Sequence, residues 1–300
     1  MFRRRRKIRY YNGPAYVAKL TQKVWFPFAA VAVAALVLGL IIGLILSAVS
    51  EGSRLARLPK RELAEFGGVE QPSEKYAALL DIEAEMIDPS EMSESELKRA
   101  ISNGGGNAVG LLLFDGALCY ESDADVGYEG NGTLDAETIS SCAGGKSRYS
   151  VGCFVSSAFN ESDTAKRAYE KGRELALLSE LADAGFRELL IFGLPSDEKL
   201  LSEVSLFLAQ VSDFSLGTNV GVVLMGDASD AELARLVAAT EASADSFALD
   251  LRDMELEEAA DAVERNAYFL TQYHMRVLLE GNADITSAYD LKSFVLWETE

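Results

Sequence analysis

The 300-residue chain carries 47 acidic and 28 basic residues, and its 49% hydrophobic content is enough for one large core and additional segments. The charge is unevenly divided: residues 1–23 hold eight basic and no acidic side chains, whereas the chain beyond residue 50 has a net charge of −27. Because nucleic acid would approach that acidic part against like charge, nucleic-acid binding is not expected.

The first predicted element is a membrane-spanning helix over residues 24–50, behind a basic tail at residues 1–23. No charged residue lies in this 27-residue stretch, and about 20 apolar residues suffice to cross the hydrocarbon core. Trp25 stands where an interfacial aromatic side chain would anchor the helix. A cleaved signal peptide is the alternative, but its apolar region is normally shorter. Since basic residues stay cytoplasmic, the pattern predicts a single-pass protein with an extracellular C-terminal part.

The same segment carries small residues at every fourth position. This spacing places them on one helix face, as in close-packed transmembrane dimers, and indicates a homodimer. The alternative is that they reflect only the ordinary composition of membrane helices. The residues are Ala35, Gly39, Gly43 and Ser47.

Residues 51–103 are predicted to form a juxtamembrane stalk with short helices. The helical patterns SRLARLPKRELAEF and SEKYAALLDIEAEM are interrupted or bordered by proline and glycine. SESELKRAIS then predicts a helix with Ser93 as its N-cap and Glu96 three residues later. We expect this segment to act as a spacer.

From residue 104 to residue 300, seven apolar runs alternate with helical patterns. The runs are almost continuously apolar, as in strands buried on both faces of a parallel sheet. They predict a parallel (β/α) TIM-like barrel, irregular or incomplete, with an open doubly wound sheet as the alternative. The predicted strands are 107–114, 149–155, 187–192, 218–225, 245–251, 275–280 and 293–298.

Two stretches, NAVGLLLFDGALCYES and GRELALLSELADAGFRELLIFGLP, resemble a glycoside-hydrolase-like (β/α) barrel family of unknown function from Gram-positive surface proteins. That family typically shows N-A-V-V-I-D-V-K-D at its first strand and G-F-D-E-I-x-x-D-Y-V-R-F-P at its third. The resemblance covers roughly residues 104–300. It implies a barrel domain with glycosidase-type residues at its strands.

The family's charged strand positions are apolar or weakly polar in this chain. Its first-strand Asp and Lys fall on Leu112 and Phe114, its second-strand Arg on Cys153, and its third-strand Asp on Phe192. Hydrocarbon side chains neither transfer a proton nor stabilise an oxocarbenium-like charge. The resemblance therefore implies a barrel that has lost the family's chemistry. The positions that match are Asn107, Ala108, Val109, Asp115, Tyr149, Val151, Gly185, Phe186, Glu188 and Pro195.

Carboxylates at other predicted strand ends keep an enzymatic function open. Glycoside hydrolysis needs two carboxyl groups on opposite sides of the scissile bond. Asp115, Asp250 and Glu280 are the catalytic candidates, whereas Asp227 and Asp253 fit helix N-caps. An active glycoside hydrolase with such a relocated pair at the barrel mouth is the alternative function.

The favoured function is a membrane-anchored, extracellular, non-catalytic module that binds carbohydrate or another component of the cell envelope. Tyr120, Tyr128 and Trp297 are candidate carbohydrate-binding aromatics. Ordinary core or surface packing is the alternative role for all three.

Neither a cofactor nor a metal is predicted. His274 is the only histidine, and Cys119, Cys142 and Cys153 are too few and too irregularly spaced for a zinc site. One disulfide among the three cysteines would leave one thiol, and Cys153 fits buried packing within a strand.

Overall fold

The computed structural model describes Leu63, Tyr76 and residues 82–103, 111–121, 126–128, 134–143, 150–215 and 217–297. The predicted basic tail and membrane helix, with the small residues of the homodimer face, lie outside these described residues. Within the described part of the chain, no helix combines the length and apolar character needed to cross a membrane.

The strands of the described residues belong to two sheets. They are β1 (Ile82–Glu85), β2 (Leu111–Asp115), β3 (Cys119–Glu121), β4 (Val126–Tyr128), β5 (Leu134–Asp135), β6 (Val151–Val155), β7 (Glu188–Phe192), β8 (Asn219–Met225), β9 (Ser246–Asp250), β10 (Arg276–Leu279) and β11 (Lys292–Trp297). The larger sheet has eight parallel strands in the order β1-β11-β10-β9-β8-β7-β6-β2. The smaller sheet is antiparallel, in the order β3-β4-β5.

The eight parallel strands have the arrangement of a β/α barrel. Their order follows the chain, instead of reversing as in a doubly wound sheet. Just after β1, Ile87 forms an isolated parallel bridge with Leu112 of β2. The Leu113 N–H donates to the Ile87 carbonyl at 2.9 Å, so the two edges of the sheet meet there. The predicted parallel β/α architecture is confirmed.

Helices connect most of the barrel strands, as the alternating pattern predicts. All seven predicted strands are present, as β2 and as β6 to β11. Within the described part of the chain, the α-helices with stated bounds are α1 (Glu94–Asn103), α2 (Ala136–Ala143), α3 (Thr164–Ala184), α4 (Leu201–Phe214), α5 (Asp230–Thr240), α6 (Leu256–Arg265) and α7 (Ala267–Gln272).

Strand β1 departs from the prediction for the stalk. Residues Ile82–Glu85, expected within a helical pattern, form a strand that pairs in parallel with β11. The short sequence IEAE carries a weak local preference, and pairing with a distant strand decides its conformation. Met86 follows and is buried in the barrel interior. The helical prediction is therefore wrong for these four residues, and the predicted spacer supplies a barrel strand.

Apolar side chains fill the barrel interior. The buried interior cluster consists of Met86, Val151, Cys153, Leu190, Phe192, Val223, Ala248 and Leu278, with Leu113 and Val155 packed against it. Burial raises the pKa of the Cys153 thiol to about 12, and the prediction of a packing role for this residue is confirmed. Cys119 and Cys142 are also buried free thiols.

Helix α3 has defined signals at both ends. At its start, the Asp163 carboxylate accepts hydrogen bonds from the N–H groups of Ala165 and Lys166 at 2.8 and 3.0 Å. At its end, Gly185 adopts the left-handed conformation with φ of 98°. The helical pattern expected between the second and third predicted strands is confirmed by this helix.

Gly172 lies inside α3, and replacing it by alanine is expected to raise the free energy of unfolding by about 0.5–1 kcal/mol. A Cβ atom there would meet nothing within 4 Å, so the gain comes from lower backbone entropy in the unfolded chain. Urea unfolding of the full-length chain measures this change. As the control, Gly185→Ala should destabilise because its φ is positive; a Gly172→Ala variant no more stable than the wild type would contradict the expectation.

Candidate functional site

The three candidate carboxylates lie at the C-terminal ends of barrel strands. Asp115 ends β2, Asp250 ends β9, and Glu280 directly follows β10. Side chains alternate between the two faces of a strand. Each carboxylate is therefore on the same face as the residue two positions earlier, which belongs to the barrel interior. Those interior residues are Leu113, Ala248 and Leu278. The strands thus bring the candidates to the face that carries active sites in barrel enzymes.

Asp250 is held in an ion pair that sequence analysis missed. Arg252 Nε donates to Asp250 Oδ1 at 2.8 Å, and Arg252 Nη2 donates to Oδ2 at 2.7 Å. The Asp250 side chain is only 6% exposed, and the Arg252 guanidinium lies 5.3 Å from the centre of the Phe192 ring. Both carboxylate oxygens therefore accept charge-assisted bonds from Arg252, and this bidentate pair fixes the position of the Asp250 carboxylate.

Asp115 and Glu280 have different surroundings. Asp115 is exposed, and its Oδ1 accepts the Ala117 N–H at 2.9 Å, which caps the short 3₁₀ turn after β2. Glu280 is half-buried, and its backbone N–H donates to Asn282 Oδ1 at 3.2 Å. Asp115 therefore has a local structural role, whereas the Glu280 side chain lines a cavity.

That cavity is a cleft of about 500 Å³ at the ends of β9 and β10. Its volume is in the range of small-molecule sites. Asn282 holds the two loops together, since its amide nitrogen donates to the carbonyls of Leu251 at 2.6 Å and Met254 at 3.0 Å. The lining residues are Arg252, Asp253, Met254, Glu255, Leu256, Glu280, Gly281 and Asn282.

The helix caps expected at Asp227 and Asp253 lie elsewhere. Helix α5 begins after Ser229, whose N–H and hydroxyl both donate to Glu232 Oε2, at 2.9 and 2.6 Å. Helix α6 begins after Glu255. Both loops run two residues further than predicted before the helix starts, which leaves Asp253 to line the cleft.

Glu174 of α3 is a buried carboxylate that sequence analysis did not single out. It accepts hydrogen bonds from Ser156 Oγ at 2.6 Å and from the N–H groups of Ser157 and Ala158 at 2.8 and 2.9 Å. Burial raises the pKa of this carboxyl, although these donors act in the opposite direction. Gly116 packs so closely that a Cβ there would lie 2.4 Å from Glu174 Oε1. Glu174 therefore fixes the loop after β6.

Leu112 and Phe114, which stand where the glycoside-hydrolase-like family has charged residues, face away from the barrel interior. Leu113 packs on the interior cluster, so its neighbours Leu112 and Phe114 face the helices. Phe114 accordingly lies 6.1 Å, ring centre to ring centre, from Phe186. The other two positions, Cys153 and Phe192, belong to the apolar interior. None of the four positions presents a charged group to the cleft.

The three candidate aromatics occupy separate strands. The backbone of Tyr120 lies in β3 and that of Tyr128 in β4, where Gly127 pairs with Tyr120. Trp297 ends β11. Their side chains lie outside the described part of the chain, and their carbohydrate-binding role stays a prediction.

Among the comparisons with known proteins, only the comparison with solved structures found similar proteins. No protein-family model and no curated protein matches the chain. Among solved structures, "QR15, an Aldolase" has a TM-score of 0.45 and 13% identity, and covers 74% of this chain and 90% of that chain. A sugar phosphate isomerase/epimerase from Parabacteroides distasonis ATCC 8503 has a TM-score of 0.43 and 10% identity, with coverages of 69% and 83%. The resemblance to the glycoside-hydrolase-like family stays a prediction.

Proposed function

We propose that this protein is a membrane-anchored, extracellular β/α barrel that binds a carbohydrate of the cell envelope without hydrolysing it. The uncharged stretch at residues 24–50, preceded by basic residues, supports the anchor and its orientation. The cleft at the ends of β9 and β10 supports the binding function, because barrel sites lie at this face.

The ion pair between Asp250 and Arg252 is the observation that carries the non-catalytic part of the proposal. It occupies both oxygens of the most buried candidate carboxylate. Asp115 is engaged in capping a turn. Of the three candidates, Glu280 alone lines the cleft, whereas hydrolysis needs a pair of carboxyl groups across the scissile bond.

An active glycoside hydrolase is the second candidate function, and one observation favours it. Asp253 and Glu255 line the same cleft as Glu280, so the cleft itself contains three carboxylates. In that mechanism, one would protonate the leaving oxygen and another would act as nucleophile or as base toward water. The ion-paired Asp250 would then be a positioning group.

Filling the cleft tests the proposed binding site. A Cβ on Gly281 would meet nothing within 4 Å, so Gly281→Trp places a large ring at the cleft wall without a clash in the barrel. We expect it to reduce oligosaccharide binding by about tenfold or more, because the ring occupies ligand space. Binding is measured by calorimetry on the full-length chain in mild detergent, against oligosaccharides and peptidoglycan fragments.

Gly172→Trp is the matched control. A Cβ at this exposed position of α3 also meets nothing within 4 Å, and it is not a cleft residue. It should bind like the wild type. Equal binding by both tryptophan variants would place the site elsewhere, and no binding to any oligosaccharide in the panel would contradict the proposed function.

A further inference from the structure

The charges that line the cleft are unbalanced. Among the described residues of its lining, Arg252 is cationic, whereas Asp253, Glu255 and Glu280 are carboxylates. Asp253 and Glu255 are exposed, and Glu280 is half-buried at the end of β10. The lining therefore has more negative than positive groups even before their partners are considered.

The positive charge of Arg252 is already neutralised. Two of its nitrogens bond to the carboxylate of Asp250, which lies in the barrel beneath the loop and is itself buried. The guanidinium face rests near the Phe192 ring. A ligand in the cleft consequently meets the field of the three remaining carboxylates, and a cation is attracted while an anion is repelled.

Apolar atoms complete the lining. Met254 and Leu256 both border the cleft, and the end of β8 packs behind Met254, since a Cβ on Gly226 would lie 3.0 Å from the Met254 sulfur. Carboxylates beside hydrocarbon suit a ligand with an ammonium group on an apolar ring face.

We propose that the cleft selects carbohydrates that carry a free amine, namely amino sugars in their ammonium form, over N-acetylated or acidic sugars. This inference rests on the proposed binding function and names its ligand class. The ammonium group donates up to three hydrogen bonds, and Asp253, Glu255 and Glu280 supply carboxylate acceptors around the same cavity. Acetylation would remove the charge, and a uronic acid would reverse it.

The test compares three tetrasaccharides on the full-length chain in mild detergent: glucosamine, N-acetylglucosamine and galacturonic acid oligomers. Calorimetric titration is run at a pH where the amine is protonated and the carboxylates are ionised. We expect the glucosamine oligomer to bind at least about tenfold more tightly than the N-acetylated one, with the acidic oligomer weakest.

Charge-removing variants locate the selectivity. Glu280→Gln and Asp253→Asn should each weaken glucosamine binding by about fivefold or more, and should weaken binding of the N-acetylated oligomer by a smaller factor. Glu180→Gln is the control, because Glu180 is an exposed residue of α3 outside the cleft. Thermal unfolding confirms that each variant is folded.

Two results would overturn the inference in distinguishable ways. Equal or tighter binding of the N-acetylated or acidic oligomer would refute the amine preference while the proposed binding function stands. Equal weakening by Glu180→Gln would show that net charge, and not the cleft, determines the preference. Failure of the whole oligosaccharide panel would instead reject the proposed function itself.

Discussion

Replacing Arg276 by methionine is expected to lower the free energy of unfolding by about 3–5 kcal/mol, because it leaves a buried carboxylate facing a hydrocarbon side chain. Arg276 begins β10 and forms an ion pair with Glu188 at the start of β7. Neither side chain has solvent-exposed surface. Chemical unfolding of the full-length chain, monitored by circular dichroism, measures the loss.

The surroundings of this pair explain the size of the expected effect. Both residues begin strands, so the pair lies at the end of the barrel opposite the cleft. Ser246 Oγ lies 3.4 Å from Glu188 Oε1. Gly221 makes room for the group, since a Cβ there would lie 2.6 Å from Ser246 Oγ and 2.5 Å from a methyl carbon of Leu190. A site this closely packed offers little space for water to enter.

A double variant separates loss of the pair from loss of packing. Glu188→Leu combined with Arg276→Met removes both charges, and we expect it to be more stable than the single Arg276 variant by about 2 kcal/mol or more. If the free energy of unfolding of Arg276→Met lay within about 1 kcal/mol of the wild-type value, this account of the Arg276–Glu188 pair would be contradicted. The account would also be contradicted if the double variant lost as much stability as the single variants Arg276→Met and Glu188→Leu lose together.

Replacing Glu174 by alanine is expected to cost about 2–4 kcal/mol of stability. The change removes the acceptor for Ser156 Oγ and for the N–H groups of Ser157 and Ala158, and each buried donor left without a partner carries a desolvation cost. It also opens a cavity beside Gly116. Glu174→Gln keeps an acceptor oxygen and should cost about 1 kcal/mol or less.

The pH dependence of this effect has a definite sign. Burial raises the pKa of Glu174 above its ordinary value of 4.5, so the folded state binds this proton more tightly than the unfolded state. The stabilisation that protonated Glu174 provides is complete below pH 4.5 and is lost as the pH rises through the raised pKa. The stability of the wild type relative to Glu174→Gln should therefore fall with rising pH over that window. A difference that grows with pH would contradict the assignment.

The predictability of the fold depends on how each strand is buried. Strands such as Val151–Val155 and Glu188–Phe192 pair with a strand on each side and are buried on both faces. Burial on both faces requires a nearly continuous run of apolar residues, and such a run can be recognised in the sequence. Strand Ile82–Glu85 lies beside β11 and alternates acidic and apolar residues over four positions. Its conformation depends on a partner more than 200 residues away in the chain, which local pattern does not reveal.

The sequence predicts where the candidate carboxylates lie, but it does not predict the ion pair between Asp250 and Arg252. Strand ends predict that Asp250 and Glu280 reach the barrel mouth, because the carboxyl ends of parallel strands lie on one face. The partner Arg252 is two residues from Asp250, and the sequence DLR after a strand was the available signal. Glu174 offered no such signal, since its burial depends on the approach of Gly116 and of the loop after β6, both distant in sequence.

Hydrolysis by the purified full-length chain is the measurement that tests the non-catalytic barrel most directly. The assay follows the release of reducing ends from a panel of oligosaccharides and peptidoglycan fragments, for the wild type and for Asp115→Ala, Asp250→Ala, Asp253→Ala and Glu280→Ala. Of the three strand-end candidates, Asp250 is ion-paired with Arg252 and Glu280 alone lines the cleft. Because hydrolysis needs two carboxyl groups across the bond, we predict no product from any of the five proteins. Turnover by the wild type that is abolished by one of these substitutions would contradict the account and identify the catalytic carboxylate.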